Sequence, residues 1–277
     1  MDIKIVSDSS SDLLELSGVS FASVPLKILS GEREYVDDAR LDVPEMVAAL
    51  SAYKGKTSTS CPNVGEWLEA FGDAEGVFTV AITSNLSGSH NAAVQAAEVY
   101  MEEHPGRRVC CLDSLSTGPE MALIILRLRE LIREGHDFDT VEAKIREYMA
   151  RTHLLFMLER VDNLARNGRV SPLIATAVGL LGIRIVGKAS DEGTLQQLHK
   201  CRGERKGLEA LFQEMAAMRF AGGRVYVAHV CNEALGYTVR ERILERWPGS
   251  EVTVVPTRGL CSFYAERGGV LVGFESR

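Results

Sequence analysis

Three segments of the chain are rich in hydroxyl side chains, and each lies directly after a predicted strand. They are Ser7–Asp12, Thr83–Ser89 and Asp113–Gly118. A fourth hydroxyl-rich segment, Thr57–Pro62, precedes another predicted helix. Hydroxyl groups donate hydrogen bonds, and the first turn of a helix carries unpaired N–H groups. Such segments therefore favour the binding of a carboxylate or phosphate group.

The same residue types also have an ordinary structural use. Ser, Thr and Asp are preferred at helix N-termini, where their side chains accept hydrogen bonds from the backbone. For any one of these segments, helix capping accounts for the composition. Because the carboxyl ends of parallel strands share one edge of a sheet, several such segments together favour a ligand site at that edge.

Several common catalytic arrangements are absent from the sequence. Ser87 has Asn85 in place of the first glycine of a nucleophile elbow. His-Glu-x-x-His does not occur, and the six histidines are scattered, so we expect no metal site and no cofactor. Gly182–Lys188 resembles a phosphate loop, but Ala189 replaces the required Ser or Thr. The alternative hypothesis is a small-molecule enzyme acting on a phosphate or carboxylate at the same strand ends, with candidate titratable groups Asp8, Cys61, His90 and Asp113.

Strands and helices alternate through the first half of the sequence. Short apolar runs predict strands at Ile3–Ser7, Val77–Ile82 and Arg108–Leu112. Phe21–Leu29 and Arg33–Val36 predict a β-hairpin, and Gly55–Pro62 a loop. The predicted helices are Asp12–Leu16, Asp42–Tyr53, Val64–Phe71, Ser89–Glu103, Pro119–Arg133 and Asp139–Ala150, the last capped by Asp139. Strands separated by helices predict a parallel sheet covered by helices.

The second half has a different pattern, and we place a domain boundary near residue 150. The turn Asp191–Gly193 predicts an antiparallel pair of strands, Ile183–Gly187 and Thr194–His199. Further strands are predicted at His153–Leu158, Arg224–His229, Glu251–Pro256 and Gly269–Phe274, and helices at Val161–Asn167, Ser171–Leu181, Glu204–Met218 and Cys231–Arg246. These patterns predict an α/β fold: an N-terminal domain, 1–150, with a parallel-type sheet and a hairpin near 21–36, and a C-terminal α+β domain, 151–277, with a mixed or antiparallel sheet.

The composition is that of a soluble globular protein, with 45% hydrophobic and 25% charged residues. The longest weakly polar stretch, Leu173–Ile183, is too short to span a membrane. A net charge of −7 argues against a nucleic-acid binder. Six cysteines without C-x-x-C spacing, and an N-terminus unlike a signal peptide, predict a cytoplasmic location.

The charge is unevenly divided between the two halves. Residues 1–150 carry 13 Lys and Arg against 25 Asp and Glu, whereas residues 151–277 carry 18 against 13. Either the two domains have complementary faces, or the basic half contacts an anionic ligand or partner. A regulatory adaptor whose bound ligand only tunes partner docking on this arginine-rich half is a third hypothesis.

The order and spacing of short motifs resemble the DegV family of bacterial fatty-acid-binding proteins over nearly the whole chain. These motifs are Ser7–Leu13, Thr59–Pro62, Leu86–Ser89, Asp113–Gly118, Asn167–Ser171, Leu180–Val186, Asp191–Gly193, Lys200–Gly203 and Gly268–Phe274. The resemblance implies a two-domain α/β fold that holds one long-chain fatty acid between its domains. It also implies that the protein presents the acyl carboxylate to a separate ATP-dependent fatty-acid kinase and carries the acyl phosphate onward.

The resemblance implies roles for particular residues. Thr59 and Ser87 would donate hydrogen bonds to the carboxylate, and Arg169 would lie near it as a positive neighbour. Also expected near the head group are Ser60, Gly88, Ser89 and Tyr264. The family usually has a histidine where this chain has Tyr264, so this departure bears on the kinase partnership rather than on lipid binding. The apolar segment Leu173–Leu181 is a candidate wall for the acyl chain.

Overall fold

The computed structural model describes residues 2–170 and 182–276, so the helix predicted at Ser171–Leu181 and the candidate wall lie outside it. The strands of the first half are β1 (Ile3–Asp8), β2 (Ser20–Val24), β3 (Lys27–Ser30), β4 (Arg33–Val36), β5 (Thr57–Ser60), β6 (Gly76–Ala81) and β7 (Arg108–Asp113). Its helices are α1 (Val43–Ala52), α2 (Val64–Phe71), α3 (Ser89–Glu103), α4 (Pro119–Arg133) and α5 (Phe138–Met149).

The second half begins with β8. Its strands are β8 (Thr152–Leu158), β9 (Ile183–Ala189), β10 (Leu195–Arg202), β11 (Arg224–His229), β12 (Glu251–Pro256) and β13 (Val270–Glu275). Its helices are α6 (Asp162–Arg166), α7 (Glu204–Ala217), α8 (Glu233–Arg246) and α9 (Gly259–Ala265).

A four-stranded parallel sheet, with strand order β2-β1-β6-β7, forms the centre of the N-terminal part. Every residue of β6 is buried, as is typical of parallel strands with helices on both faces. On one face Phe78 stacks on Phe138 of α5, and on the other Phe71 of α2 packs edge-on against Tyr100 of α3. The predicted helix-covered parallel sheet is confirmed.

The hairpin predicted from Phe21 to Val36 is shorter than expected. β3 and β4 pair antiparallel, but β2 joins the parallel sheet beside β1. Pro25 separates β2 from β3, and it has no N–H group to continue a ladder. The predicted loop at Gly55–Pro62 contains β5, which pairs with β3. Threonine favours extended structure, and β3 supplies the hydrogen bonds that make this segment a strand.

Two helix starts differ from the prediction. Asp12–Leu16 is not a helix, because Ser9–Ser11 form a single 3-10 turn that Asp12 ends in the left-handed conformation, with φ at 61°. Helix α5 begins after Asp137 rather than at Asp139. The Asp137 carboxylate accepts the hydrogen bond of the third backbone N–H group of the helix, so it is the cap.

A six-stranded sheet, with strand order β10-β9-β8-β13-β11-β12, forms the centre of the C-terminal part. β11 and β12 are parallel and the other pairs are antiparallel, which confirms the predicted mixed sheet and the two-domain α/β fold. Helices α7 and α8 cover one face of this sheet. Helix α9 was not predicted, because it has seven residues, begins with glycine and has no side-chain cap on its own segment.

The other face of the six-stranded sheet is directed toward the N-terminal part. Met46 of α1, Phe156 of β8 and Phe263 of α9 belong to one hydrophobic cluster that spans both parts. Within residues 2–170 and 182–276, no helix has both the length and the apolar character needed to cross a membrane.

Candidate ligand-binding site

A cavity lies between the loops that follow β6 and β7 and the inner face of the C-terminal sheet. It contains ≈ 680 Å³ of space not occupied by protein atoms, part of it open to solvent. The structure therefore has a cavity at the strand ends, where the sequence predicted a ligand site.

Hydrocarbon side chains form most of the cavity wall. Leu154, Phe156 and Leu158 line it from alternate positions of β8. The intervening residues, Leu155 and Met157, belong to the cluster under α7 and α8, as the alternation of side chains along a strand requires. From the N-terminal part, the wall receives Leu26, Ile82 and Leu86. The cavity is therefore suited to an apolar ligand.

Four polar side chains meet in one part of this wall. Thr59 on β5 and Tyr264 on α9 are joined by a hydrogen bond of 2.8 Å between their hydroxyl oxygens. Ser87 lines the cavity from the loop after β6, and Arg169 lines it from the segment after α6. The Arg169 charge acts on the Tyr264 hydroxyl, so Arg169 lies near the Thr59–Tyr264 pair, and Arg169 Nε donates to the carbonyl of Leu86, the neighbour of Ser87.

The three hydroxyls of this group leave two protons for a ligand. In the Thr59–Tyr264 pair one proton is used within the pair, and the other is left for a ligand. The Ser87 oxygen accepts the backbone N–H of Ser89 at 3.3 Å, which leaves its own proton to donate. Burial is the main influence on the Tyr264 phenol and raises its pKa, although the Thr59 hydrogen bond and the Arg169 charge oppose this. Tyr264 therefore stays a neutral donor near neutral pH.

Arg169 connects the two domains at this point. Its Nε donates to the carbonyl oxygen of Leu86 at 2.9 Å, and its Nη1 donates to the carbonyl of Asn167. Leu86 is the neighbour of Ser87, so the same contact positions the loop that carries this serine. A guanidinium group has five N–H donors, so Arg169 can hold this loop and still contribute positive charge to the cavity.

The first hydroxyl-rich segment has a structural role next to the cavity. The buried Asp8 carboxylate accepts hydrogen bonds from Ser10, from the Ile82 backbone N–H at 3.0 Å and from the Ser89 hydroxyl at 2.6 Å. Burial raises the pKa of Asp8, and these hydrogen bonds oppose that rise. Asp8 thus ties the end of β1 to the loop after β6.

The sequence-based site residues fall into two groups in the structure. Thr59, Ser87, Arg169 and Tyr264 line the cavity together. Three others do not line it: Ser60 is exposed, Gly88 is exposed and precedes α3, and Ser89 is buried against Asp8.

Sequence reasoning missed two polar lining residues. Thr117 lies in a hydroxyl-rich segment that was recognised, so its segment carried a signal. Cys261 lies on α9, a short helix without a recognisable start signal in its own sequence, so no pattern pointed to this residue.

Two of the four groups named by the alternative hypothesis, Asp8 and Asp113, are used elsewhere, and Cys61 and His90 do not line the cavity. The Asp8 carboxylate accepts the hydrogen bonds from Ser10, Ile82 and Ser89 described above, and the Asp113 carboxylate accepts the backbone N–H groups of Ser84 and Leu115. Neither carboxylate lines the cavity. In the described part of the chain, no group of three or more His, Cys, Asp or Glu side chains is placed to hold a metal ion. The arrangement can hold an apolar chain with an anionic end.

The fold and this cavity define a two-domain α/β protein of the ligand-binding class. The model of the DegV family, described as uncharacterised proteins, matches residues 2–277. The chain belongs to the DegV family.

Two solved structures and one curated relative are similar over the full length. The Streptococcus pneumoniae fatty acid kinase (Fak) B3 protein, loaded with linoleic acid, is 43% identical with a TM-score of 0.98, covering 100% of both chains. A DegV family protein from Eubacterium eligens, loaded with heptadecanoic acid, is 41% identical with a TM-score of 0.97, covering 99% of this chain and 100% of that chain. A DegV domain-containing protein of Streptococcus pneumoniae is 44% identical over 279 residues, covering 99% of each chain.

Proposed function

We propose that this protein binds one long-chain fatty acid noncovalently in the cavity between its domains, residues 1–150 and 151–277. The observation that carries the proposal is the position of the polar group: Thr59, Ser87, Arg169 and Tyr264 interrupt a wall that is otherwise mostly hydrocarbon. An amphipathic anion satisfies both parts of this wall. The linoleic and heptadecanoic acids in the two similar structures support a fatty acid as that ligand.

The hydrophobic effect accounts for binding of the chain. Burial of about fourteen methylene groups at roughly 0.8 kcal/mol each contributes on the order of 11 kcal/mol, from which the cost of ordering the ligand is subtracted. A buried carboxylate without partners would reverse much of this gain. Hydrogen bonds to a charged group contribute roughly 1.5–3 kcal/mol each, so donors at one end of the cavity decide whether an acid is accepted.

Thr59 and Ser87 are the proposed donors to the carboxylate. The Tyr264 hydroxyl orients Thr59 through their 2.8 Å hydrogen bond, and Arg169 supplies the compensating charge. Ser60, Gly88 and Ser89 shape the backbone around these donors rather than contact the ligand. No cofactor other than the lipid is required.

We further propose that the bound acid is presented to a separate ATP-dependent kinase, which phosphorylates the carboxylate for phospholipid synthesis in the cytoplasm. On this proposal the protein is a carrier and not an enzyme. The similarity to the Fak B3 protein supports this role. Ser60 and Gly88, the neighbours of Thr59 and Ser87, are exposed. Their exposure also supports presentation to a kinase, because the carboxylate end of the ligand would then lie near the protein surface. Tyr264 would then replace the usual family histidine at the kinase-facing end.

Native mass spectrometry of the purified protein tests the proposal. We expect an added mass of one fatty acid, and after delipidation the uptake of one equivalent of oleate or palmitate. Oleyl alcohol, which has the same chain but no carboxylate, should bind more weakly. Repeated absence of lipid, together with no uptake of either acid, would overturn the proposal. The carrier role is tested separately by adding a fatty-acid kinase and ATP to the loaded protein. Acyl phosphate should form when the loaded protein is present and not when the kinase is given free fatty acid alone.

A further inference from the structure

Helix α9 carries Tyr264, and its first turn is capped by the N-terminal domain rather than by its own segment. The preceding residue, Arg258, provides no side-chain cap. Instead, the Asp37 carboxylate accepts the backbone N–H groups of Gly259 at 2.7 Å and Leu260 at 2.9 Å. Free N–H groups at the start of a helix need acceptors, and the helix dipole favours a carboxylate there.

The contact between Asp37 and α9 is close and enclosed. Asp37 is 1% exposed. A Cβ atom at Gly259 would lie 2.7 Å from both Asp37 Cγ and Leu41 Cδ2, so glycine is what allows the backbone to approach. The Asp12 carboxylate accepts the preceding N–H group, that of Arg258, at 2.6 Å. Three consecutive N–H groups of the C-terminal domain are therefore held by two carboxylates of the N-terminal domain.

The other end of α9 is also fixed. The Asn163 side-chain amide donates to the carbonyl oxygen of Phe263 at 2.8 Å. With both ends held, the rotation of the helix about its axis is set. Leu260 and Tyr264, four residues apart, then face the cavity together, and the Tyr264 hydroxyl reaches Thr59.

We propose that Asp37 is a positioning residue for ligand recognition. By holding the start of α9 against the N-terminal domain, it sets the Tyr264 hydroxyl on Thr59, where the pair receives the ligand carboxylate. Asp37 does not line the cavity, so it acts on the ligand only through α9. This inference rests on the proposed binding of a fatty acid.

A double-mutant cycle with two ligands tests the inference. Asp37→Asn keeps the size of the side chain but replaces one accepting oxygen with an NH2 group. Oleate and oleyl alcohol are titrated into the wild type, Asp37→Asn, Tyr264→Phe and the double variant. We expect Asp37→Asn to weaken oleate binding about fivefold, as for the loss of one hydrogen bond, and oleyl alcohol binding by less than about twofold. In the Tyr264→Phe background, Asp37→Asn should have no further effect on oleate.

Asp38→Asn is the matched control, because the Asp38 carboxylate pairs with Arg40 at the surface. It should bind both ligands as the wild type does. An equal loss of affinity for the two ligands in Asp37→Asn would overturn the positioning role. So would an undiminished effect of Asp37→Asn on oleate affinity in the Tyr264→Phe background. If Asp37→Asn does not fold, Gly259→Ala decides in the same cycle, because its methyl group displaces the same contact. A wild type that binds no oleate contradicts the proposed function instead, so the two failures are distinguishable.

Discussion

Tyr264 and Thr59 are 205 positions apart in the sequence, and their hydroxyl oxygens are 2.8 Å apart at the cavity wall. A hydroxyl pair of this kind retains one proton for a third partner. Burial raises the pKa of Tyr264 from its ordinary value near 10, so the pair remains neutral through the physiological pH range. It can therefore donate to an ionised carboxylate throughout the physiological pH range.

Removal of the two proposed donors should weaken acid binding without changing the fold. Thr59→Val with Ser87→Ala deletes both hydroxyls at nearly constant volume. We expect oleate affinity to fall at least about tenfold, because each hydrogen bond to a charged group contributes about 1.5–3 kcal/mol. Titration measures the affinity, and circular dichroism checks the fold.

Ser58→Ala with Ser84→Ala is the control for that variant. Ser58 neighbours Thr59 on β5, and Ser84 is exposed on the loop that carries Ser87, but neither lines the cavity. The control should bind oleate normally. Unchanged affinity in Thr59→Val with Ser87→Ala would remove these two hydroxyls from the site.

Tyr264→His should introduce a pH dependence that the wild-type hydroxyl pair lacks. An imidazole at this position titrates between about pH 5 and 8, and its charged form attracts a carboxylate. We expect the ratio of oleate affinity at pH 6 to that at pH 8 to be larger in Tyr264→His than in the wild type. Parallel pH profiles for the two proteins would contradict the placement of residue 264 beside the ligand carboxylate.

Arg169→Met should reduce the preference for an acid over an alcohol. The substitution keeps an unbranched apolar stem but removes the charge and the hydrogen bond to the Leu86 carbonyl. Oleate affinity should fall about tenfold or more, and oleyl alcohol affinity much less. Arg166→Met, at the exposed end of α6, should leave both affinities unchanged. A similar loss for the two ligands would assign Arg169 to domain packing alone.

The folded protein should lose stability as the pH rises from 5 to 8.5. Burial raises the pKa of Asp12 to about 8, with a further rise from the Asp37 charge, and raises the pKa of Glu120 to about 7. An acid whose pKa is raised in the folded state binds its proton more tightly when folded, so stability falls between the unfolded and folded pKa values. Urea unfolding at several pH values measures this slope.

Asp12→Asn should flatten that slope. It keeps an oxygen for the Arg258 N–H but cannot ionise, so the variant should match the wild type near pH 5 and exceed it at pH 8.5 by at least about 1.4 kcal/mol. Asp38→Asn is again the control, because Arg40 lowers the pKa of Asp38 and its contribution changes only in more acidic solution. An identical slope in Asp12→Asn and the wild type would show that Asp12 does not carry the effect.

Gly193→Ala should weaken the contact between the β9–β10 turn and the N-terminal domain. Gly193 has φ at +75°, and a Cβ atom there would lie 2.2 Å from Thr83 Oγ1. Gly203→Ala isolates the backbone cost, because its φ is +86° and nothing lies within 4 Å. We expect Gly203→Ala to lower the free energy of unfolding by about 1 kcal/mol and Gly193→Ala to lower it clearly more. Urea unfolding measures both variants. Equal losses of unfolding free energy would mean that the turn moves away from Thr83 at no cost in stability.

Local signals predicted much of the fold. The apolar runs of β1 and β6 and the Pro119 start of α4 predicted elements within one residue of those observed, because burial patterns and helix starts are properties of short segments. Errors occurred where a distant partner decides the structure. Thr57–Ser60 is a strand because β3 lies beside it, and the first turn of α9 is capped by Asp37, which is far away in the sequence.

The sequence by itself determined which segments bury apolar faces, which loops carry hydroxyls at the strand ends, and which family motifs occur in order. Only the tertiary structure decided which of those hydroxyls are available: Ser87 lines the cavity, whereas Ser89 donates to the buried Asp8 carboxylate. The physical reason is that a hydroxyl group binds whichever acceptor is nearest. That acceptor is set by chain segments far away in the sequence, which no local pattern records.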